Sequence, residues 1–177
     1  MRKKLVFSAM GVALSMVTSY IKLWDMPMGG SITLMSMFFV TLIGYWYGLR
    51  WGLMTAVCYG VLQLILDPYV ISIPQLILDY VLAFGALGLS GFFKGRKNGL
   101  YTGYVISVLG RFVFTFLSGV IFFGMYAADY GMTAPIYSLL YNGGYILPEL
   151  VLTLLIISLK PVRTVLERVK TLATTES

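Results

Sequence analysis

ISIPQLILDYVLAFGALGLSGFF, residues 71–93, is an apolar run of 23 residues, long enough to cross a bilayer, and it contains one acidic residue, Asp79. An ionised carboxylate at that depth costs at least ~2.5 kcal/mol on insertion scales. Such a group faces a bundle interior or a wet cavity and is answered by a cation, which belongs either to the protein or to a ligand. The run therefore reads as a membrane helix with one face turned towards a polar interior. It leaves open which cation answers Asp79.

The rest of the chain has the same character. Of its 177 residues 59% are hydrophobic and only 11% are charged, which excludes a soluble domain with a polar surface. Five further apolar stretches, Leu5–Trp24, Ser31–Gly48, Trp51–Leu66, Leu100–Gly124 and Ala134–Leu159, join Ile71–Phe93. The expected fold is an all-α integral membrane protein, a bundle of six transmembrane helices forming a single membrane domain over residues 1–177, with residues 160–177 as a basic cytoplasmic tail. Ser31–Gly48 and Trp51–Leu66 are short and nearly contiguous, so they read as a tight hairpin or as partly re-entrant. Met1-Arg2-Lys3-Lys4 before Leu5–Val17 has the look of a secretory signal, but the apolar stretch runs on to Trp24 with no small-x-small cleavage site. It is read as an uncleaved first helix with Trp24 as an interfacial anchor.

Lys and Arg set the orientation. With the N-terminus inside, the inner segments hold 11 of them, Arg2, Lys3, Lys4, Arg50, Lys94, Arg96, Lys97, Lys160, Arg163, Arg168 and Lys170, and the outer loops only Lys22. Both termini are expected in the cytoplasm, with the basic tail at the surface of a bilayer rich in anionic lipid. Asp25, Asp67 and Asp129 give the outer loops a weak acidic rim that favours a cationic or neutral solute. The net charge of +6 follows from this topology and points to no nucleic acid. With no His and with Cys58 alone, neither an intramolecular disulfide nor an ordinary zinc or haem site is expected, and no cofactor is implied. There is no Gly-rich phosphate loop ending in Lys-Ser/Thr, so any ATP that drives transport is hydrolysed by a partner. An enzyme would have only carboxylates for acid–base work, and the chain is read as none.

Rise per residue converts position into depth. Asp79 lies ~12 Å below the outer surface, Asn142 in the sixth stretch at the same level, and Thr115 in the fifth at ~13 Å. Tyr69, Tyr137 and Phe123 lie nearer the rim and form an aromatic mouth. Deeper, Arg111 and Glu149 both fall ~15 Å from the inner surface. A structural Arg111–Glu149 ion pair is the expected arrangement, and it leaves Asp79 without a protein cation. The other pairing, Arg111 with Asp79, frees Glu149 for substrate or a proton. Tyr137, Tyr141 and Tyr145 form a stripe at helical spacing beside Asn142 and Glu149, able to stack on a ring or surround a cation. In the first helix Ala9-Met10-Gly11-Val12-Ala13 is a small-xxx-small pattern, suited to internal packing or to a partner.

Several strings together resemble one family: Met26-Pro27-Met28-Gly29-Gly30-Ser31, Leu49-Arg50-Trp51-Gly52, Gln75-Leu76-Ile77-Leu78-Asp79-Tyr80 with Ala83-Phe84, Ser118-Gly119-Val120-Ile121-Phe122-Phe123-Gly124, and Tyr137-Ser138-Leu139 with Tyr141-Asn142. The chain resembles the thiamine-specific S components (ThiT type) of energy-coupling factor (ECF) vitamin transporters, from Ala9 to the end of the sixth helix. The resemblance implies a protein that captures a vitamin outside and delivers it by docking on two ATPase subunits and a transmembrane coupling protein. It implies that Ala9 and Ala13 contact the coupling protein. It implies further that Asp79 faces the thiazolium cation, and that Tyr69, Tyr137 and Asn142 belong to the site. The family's His falls at Thr115, its Trp at Phe123, an acidic position of some members at Thr33, and Trp positions of some members near Gly29 and Cys58. The expected substrate-binding set is Asp79, Tyr69, Tyr137, Asn142, Thr115, Phe123, Thr33, Gln75, Tyr141 and Glu149. The expected function is capture of thiamine or a related cationic heterocycle in the bacterial plasma membrane. The alternatives are an S component for another flat heterocyclic vitamin or precursor, and a proton-coupled transporter of small solutes.

Overall fold

The computed structural model describes residues 1–175; Glu176 and Ser177, the end of the expected basic tail, lie outside the described residues. In chain order the elements are α1 (Arg2–Ser19), β1 (Lys22–Asp25), β2 (Ser31–Thr33), α2 (Phe38–Tyr47), α3 (Leu49–Leu66), α4 (Ile73–Phe93), α5 (Gly99–Phe122), α6 (Gly124–Asp129), α7 (Ala134–Ser158) and α8 (Lys160–Thr174). Four of these, α3, α4, α5 and α7, are long and apolar enough to cross a membrane.

The polarity of the bundle is inverted relative to a water-soluble one. On α5 the apolar Ile106, Leu109, Val113, Leu117 and Ile121 are exposed, whereas Ser107, Thr115 and Ser118 are buried. On α7 the exposed residues include Leu139, Leu140, Val151 and Leu155, and the buried ones include Ser138, Asn142, Glu149 and Thr153. Lipid accepts the apolar outer face without cost, and the polar groups turn inwards, where Ser138, Asn142 and Glu149 find hydrogen-bond partners.

Close backbone approach holds the inner half together. Gly44, Gly52, Gly88 and Gly91 lie where α2, α3 and α4 meet, and a Cβ on Gly88 would stand 2.5 Å from the carbonyl carbon of Gly52. Helices this close gain dispersion contacts that larger residues would forbid. The start of α4 is fixed by local chemistry. Asp67 precedes Pro68 and ends α3 in a non-helical conformation, and Ser72 caps α4 by accepting from the Gln75 amide at 3.3 Å. Within α4 the turns widen to π spacing over Ile77–Leu82 and tighten to 3₁₀ spacing over Ala86–Phe93. Asp79 sits in the widened part.

Two expected segments are corrected. The first helix stops at Ser19 and does not run to Trp24. Thr18 and Ser19 turn their hydroxyls back onto the carbonyls of Leu14 and Met16, at 2.8 and 2.7 Å. Lys22–Asp25 then pairs antiparallel with Ser31–Thr33, and the turn is closed by Gly29 and Gly30, both at positive φ. Lys22 and Asp25 form an ion pair at 3.9 Å and Ser31 donates to Asp25 at 2.6 Å, so this segment satisfies its polar groups as a hairpin rather than as a span. The second apolar stretch accordingly begins its helix at Phe38 and not at Ser31, and α2 is only 10 residues long, about 15 Å. The basic tail is helical over Lys160–Thr174. It folds as α8, where Tyr47 Oη donates to the Ala173 carbonyl at 3.0 Å and Lys170 Nζ to Tyr45 Oη at 3.1 Å. Lys3 Nζ reaches the Thr175 carbonyl at 3.1 Å, so the beginning of α1 and the end of α8 lie on one side of the bundle.

Candidate functional site

At the opposite end, α4, α5, α6 and α7 surround an open cavity of about 830 Å³. Asp79, Gln75, Thr115, Asn142 and Tyr141 line its interior, and Tyr69, Phe123 and Tyr137 its mouth. Asp67, Asp79 and Asp129 put three carboxylates on its wall against one guanidinium, Arg111, a balance that attracts cations.

Asp79 is held from one side. Its Oδ2 accepts from Gln75 Nε2 at 2.6 Å, one turn earlier on α4. Gln75 is buried and fully used: Nε2 also donates to the Tyr69 carbonyl at 3.1 Å, and Oε1 accepts from the Ile71 amide at 3.1 Å. One side chain thus aims the carboxylate and fixes the loop that carries Tyr69. Among the described residues no cation lies within 4.0 Å of Asp79.

Asn142 is positioned just as firmly. Its Nδ2 donates to the carbonyls of Thr115 and Ser138 at 3.2 and 3.1 Å, and its Oδ1 accepts from Tyr145 Oη at 3.1 Å. The second lone pair of Oδ1 is the position left for a solute donor. Thr115 spends its proton on its own helix, on the Phe112 carbonyl at 3.1 Å, and offers the cavity an acceptor.

The mouth is aromatic on both sides. Tyr69 stacks on Phe123 with centroids 5.8 Å apart, Phe123 on Tyr126 at 6.3 Å, and the hydroxyls of Tyr69 and Tyr126 meet at 2.6 Å. That bond raises the Tyr69 pKa above the ordinary tyrosine value. Opposite, Tyr137 stacks on Tyr141 at 5.9 Å and Tyr130 leans on Tyr137 at 5.5 Å. Flat rings around a carboxylate are the components of a site for a cationic heterocycle.

The deeper charged layer differs from expectation. Arg111 and Glu149 form no ion pair, and neither do Arg111 and Asp79; among the described residues only Lys22 and Asp25 approach within 4.0 Å. The Arg111 guanidinium lies 4.2 Å from the centroid of the Phe84 ring. Glu149 turns instead towards the start of α2. It accepts from Thr33 Oγ1 at 2.6 Å, Ser36 Oγ at 2.9 Å, and the amides of Met37 and Thr33 at 3.2 and 3.4 Å. Four donors satisfy the carboxylate without a counter-ion. Thr33 and Glu149 are therefore absent from the Asp79 cavity and border a smaller one, of about 600 Å³, under the hairpin. Arg111, Tyr141 and Tyr145 lie between the two.

Tyr80, Tyr126 and Ser138 line the main cavity without having been picked out as site residues. Tyr80 follows Asp79 directly, and the widened turn of α4 keeps both beside the cavity. Tyr126 lies between the fifth and sixth apolar stretches, on the short helix α6. Ala9 and Ala13 lie far from the cavity on an exposed face of α1, while Gly11 between them packs against Phe39 and Ile43 of α2.

Fold and cavity together define a multi-pass membrane protein with a built-in pocket for a small organic solute, and the comparisons with known proteins agree. The chain belongs to the thiamine transporter protein family (Thia_YuaJ), whose match covers residues 5–167, and its members are transporters rather than enzymes. It is 34% identical over 149 residues to the thiamine transporter ThiT of Bacillus subtilis, covering 76% of this chain and 77% of that one. It is 30% identical over 126 residues to ThiT of Lacticaseibacillus paracasei, covering 63% and 60%. A solved structure of ThiT from Listeria monocytogenes superposes with a TM-score of 0.79 at 25% identity, over 96% of both chains. The protein accordingly resides in the bacterial cell membrane.

Proposed function

We propose that this protein captures thiamine, or a closely related cationic heterocycle, from outside the cell and hands it to an ECF-type module of a coupling protein and two ATPase subunits. In this reading α1, α2, α3, α4, α5 and α7 are the six membrane helices and both termini are cytoplasmic. The observation that carries the proposal is Asp79, a carboxylate on the wall of an aromatic cavity with a hydrogen-bond donor on one side and, among the described residues, no cation within 4.0 Å. A thiazolium ring supplies the missing charge. Tyr69 and Phe123 flank the ring, and Asn142 Oδ1 and Tyr137 meet the polar groups of the pyrimidine half. Names of relatives that specify thiamine support the same ligand. Docking through α1 is supported by the exposure of Ala9 and Ala13, which frees their face for a partner helix.

Thr115 and Phe123, where the family has His and Trp, favour a second reading in which a thiamine precursor or another flat heterocycle is the preferred solute. Titration of the purified protein with thiamine, its separate pyrimidine and thiazolium halves, and uncharged vitamins, followed by tryptophan fluorescence, decides between them. Saturable binding of thiamine ahead of both halves is expected. Preference for one half or for an uncharged vitamin would replace it with the second reading.

A further inference from the structure

The hairpin between α1 and α2 rests on the cavity wall. Met28 at its tip lines the main cavity. Gly29 abuts the Tyr141 ring and Gly30 the Tyr145 ring so closely that a Cβ there would stand 3.1 and 2.7 Å away. Yet these are packing contacts, and short hairpins have little stability of their own. Apart from the Leu34 amide, which donates to the Ile21 carbonyl at the hairpin's own base, every hydrogen bond among the described residues that ties residues 22–37 to a distant part of the chain ends on one side chain, Glu149.

That carboxylate is 2% exposed, and its two oxygens divide the work. Oε2 holds the last residue of β2, Thr33, and Oε1 holds Ser36 and Met37 at the mouth of α2. Being anionic, it also favours the N-terminal end of α2, whose first amides lack helical partners. Glu149 stands seven positions after Asn142 on α7, the helix that bears Tyr137 and Tyr141. The hairpin and one wall of the cavity are thereby fastened at one point.

We propose that Glu149 is a positioning residue that touches no solute: it latches the hairpin onto α7 and so sets how slowly bound solute leaves. This rests on the thiamine reading only for its kinetic readout. Loss of one hydrogen bond to a charged group is expected to speed escape by about tenfold or more. Entry, which does not require the latch to be made, changes by less than about threefold.

The test compares Glu149→Gln and Thr33→Val with the unaltered protein, by stopped-flow fluorescence with thiamine and by amide hydrogen exchange without it. Thr33→Val removes the shortest bond while leaving the carboxylate its other donors, and serves if Glu149→Gln fails to fold. The latch predicts faster dissociation with near-constant association, a double variant no worse than Glu149→Gln alone, and faster exchange confined to residues 22–37. Unchanged exchange there in Thr33→Val overturns the latch, whether or not thiamine binds. Faster exchange with unchanged dissociation overturns its role in retention. Absence of thiamine binding in the unaltered protein overturns the ligand reading and leaves the exchange result to decide the latch.

Discussion

Asp79 and Arg111 share a cavity and do not pair, and that separation is the main chemical feature of the protein at the scale of the residue. Asp79 was legible in the sequence because a charge in an apolar run stands out and because helix rise is constant enough to give its depth beside Thr115 and Asn142. Depth says nothing about rotation around the helix axis. Arg111 and Glu149 lie in one layer, yet the first turns to the Phe84 ring and the second to the start of α2. Their stabilities should differ accordingly. Breaking a buried ion pair costs about 3–5 kcal/mol, whereas a guanidinium over one ring contributes about 0.5–2 kcal/mol. Arg111→Met should therefore lower stability by about 2 kcal/mol or less, read by thermal unfolding in detergent. A loss comparable to that of a broken ion pair would restore the Arg111–Glu149 pairing.

At the scale of the element, the long helices were legible and the hairpin was not. Leu23 and Trp24 extend the first apolar stretch over β1 and Ile32 begins the second over β2, and strands of 4 and 3 residues are too short to show an alternating pattern. Gly29-Gly30 stands in the sequence but marks only the turn; the strand pairing on either side of it and the local satisfaction of Asp25 show only once the chain is folded. The helix contacts make a different prediction. Where α3 and α4 touch through Gly52 and Gly88, side-chain volume has nowhere to go because the obstructing atoms are backbone. Gly88→Val should cost at least ~2 kcal/mol, measured as a fall in the unfolding temperature, while Gly95→Ala, with no atom near its Cβ direction, tests the separate cost of its positive φ. A tolerated Gly88→Val would mean that the two helices separate more readily than their packing implies.

For the whole molecule, composition placed the chain in a membrane, and Lys3 near the start of α1 meets Thr175 after α8 on one side of the bundle. The pocket lies at the other end, between α4, α5, α6 and α7, while the exposed alanines of α1 lie elsewhere. On the proposed function, capture and delivery are therefore separable. Ala13→Trp should leave thiamine affinity within about threefold, since the substituted face is remote from the cavity, and should stop ATP-dependent uptake in cells by blocking close helix approach. Uptake at the normal rate would remove α1 from the delivery step.

The central claim is that the cation answering Asp79 is the ligand. Calorimetric titration of Asp79→Asn with thiamine tests it most directly, because the amide keeps the shape and the Gln75 contact while deleting the charge. Losing one partner of a desolvated charge pair costs about 2–5 kcal/mol, so thiamine affinity should fall by roughly thirty-fold to several thousand-fold in a protein that still inserts and folds. Affinity equal to that of the unaltered protein would contradict the account.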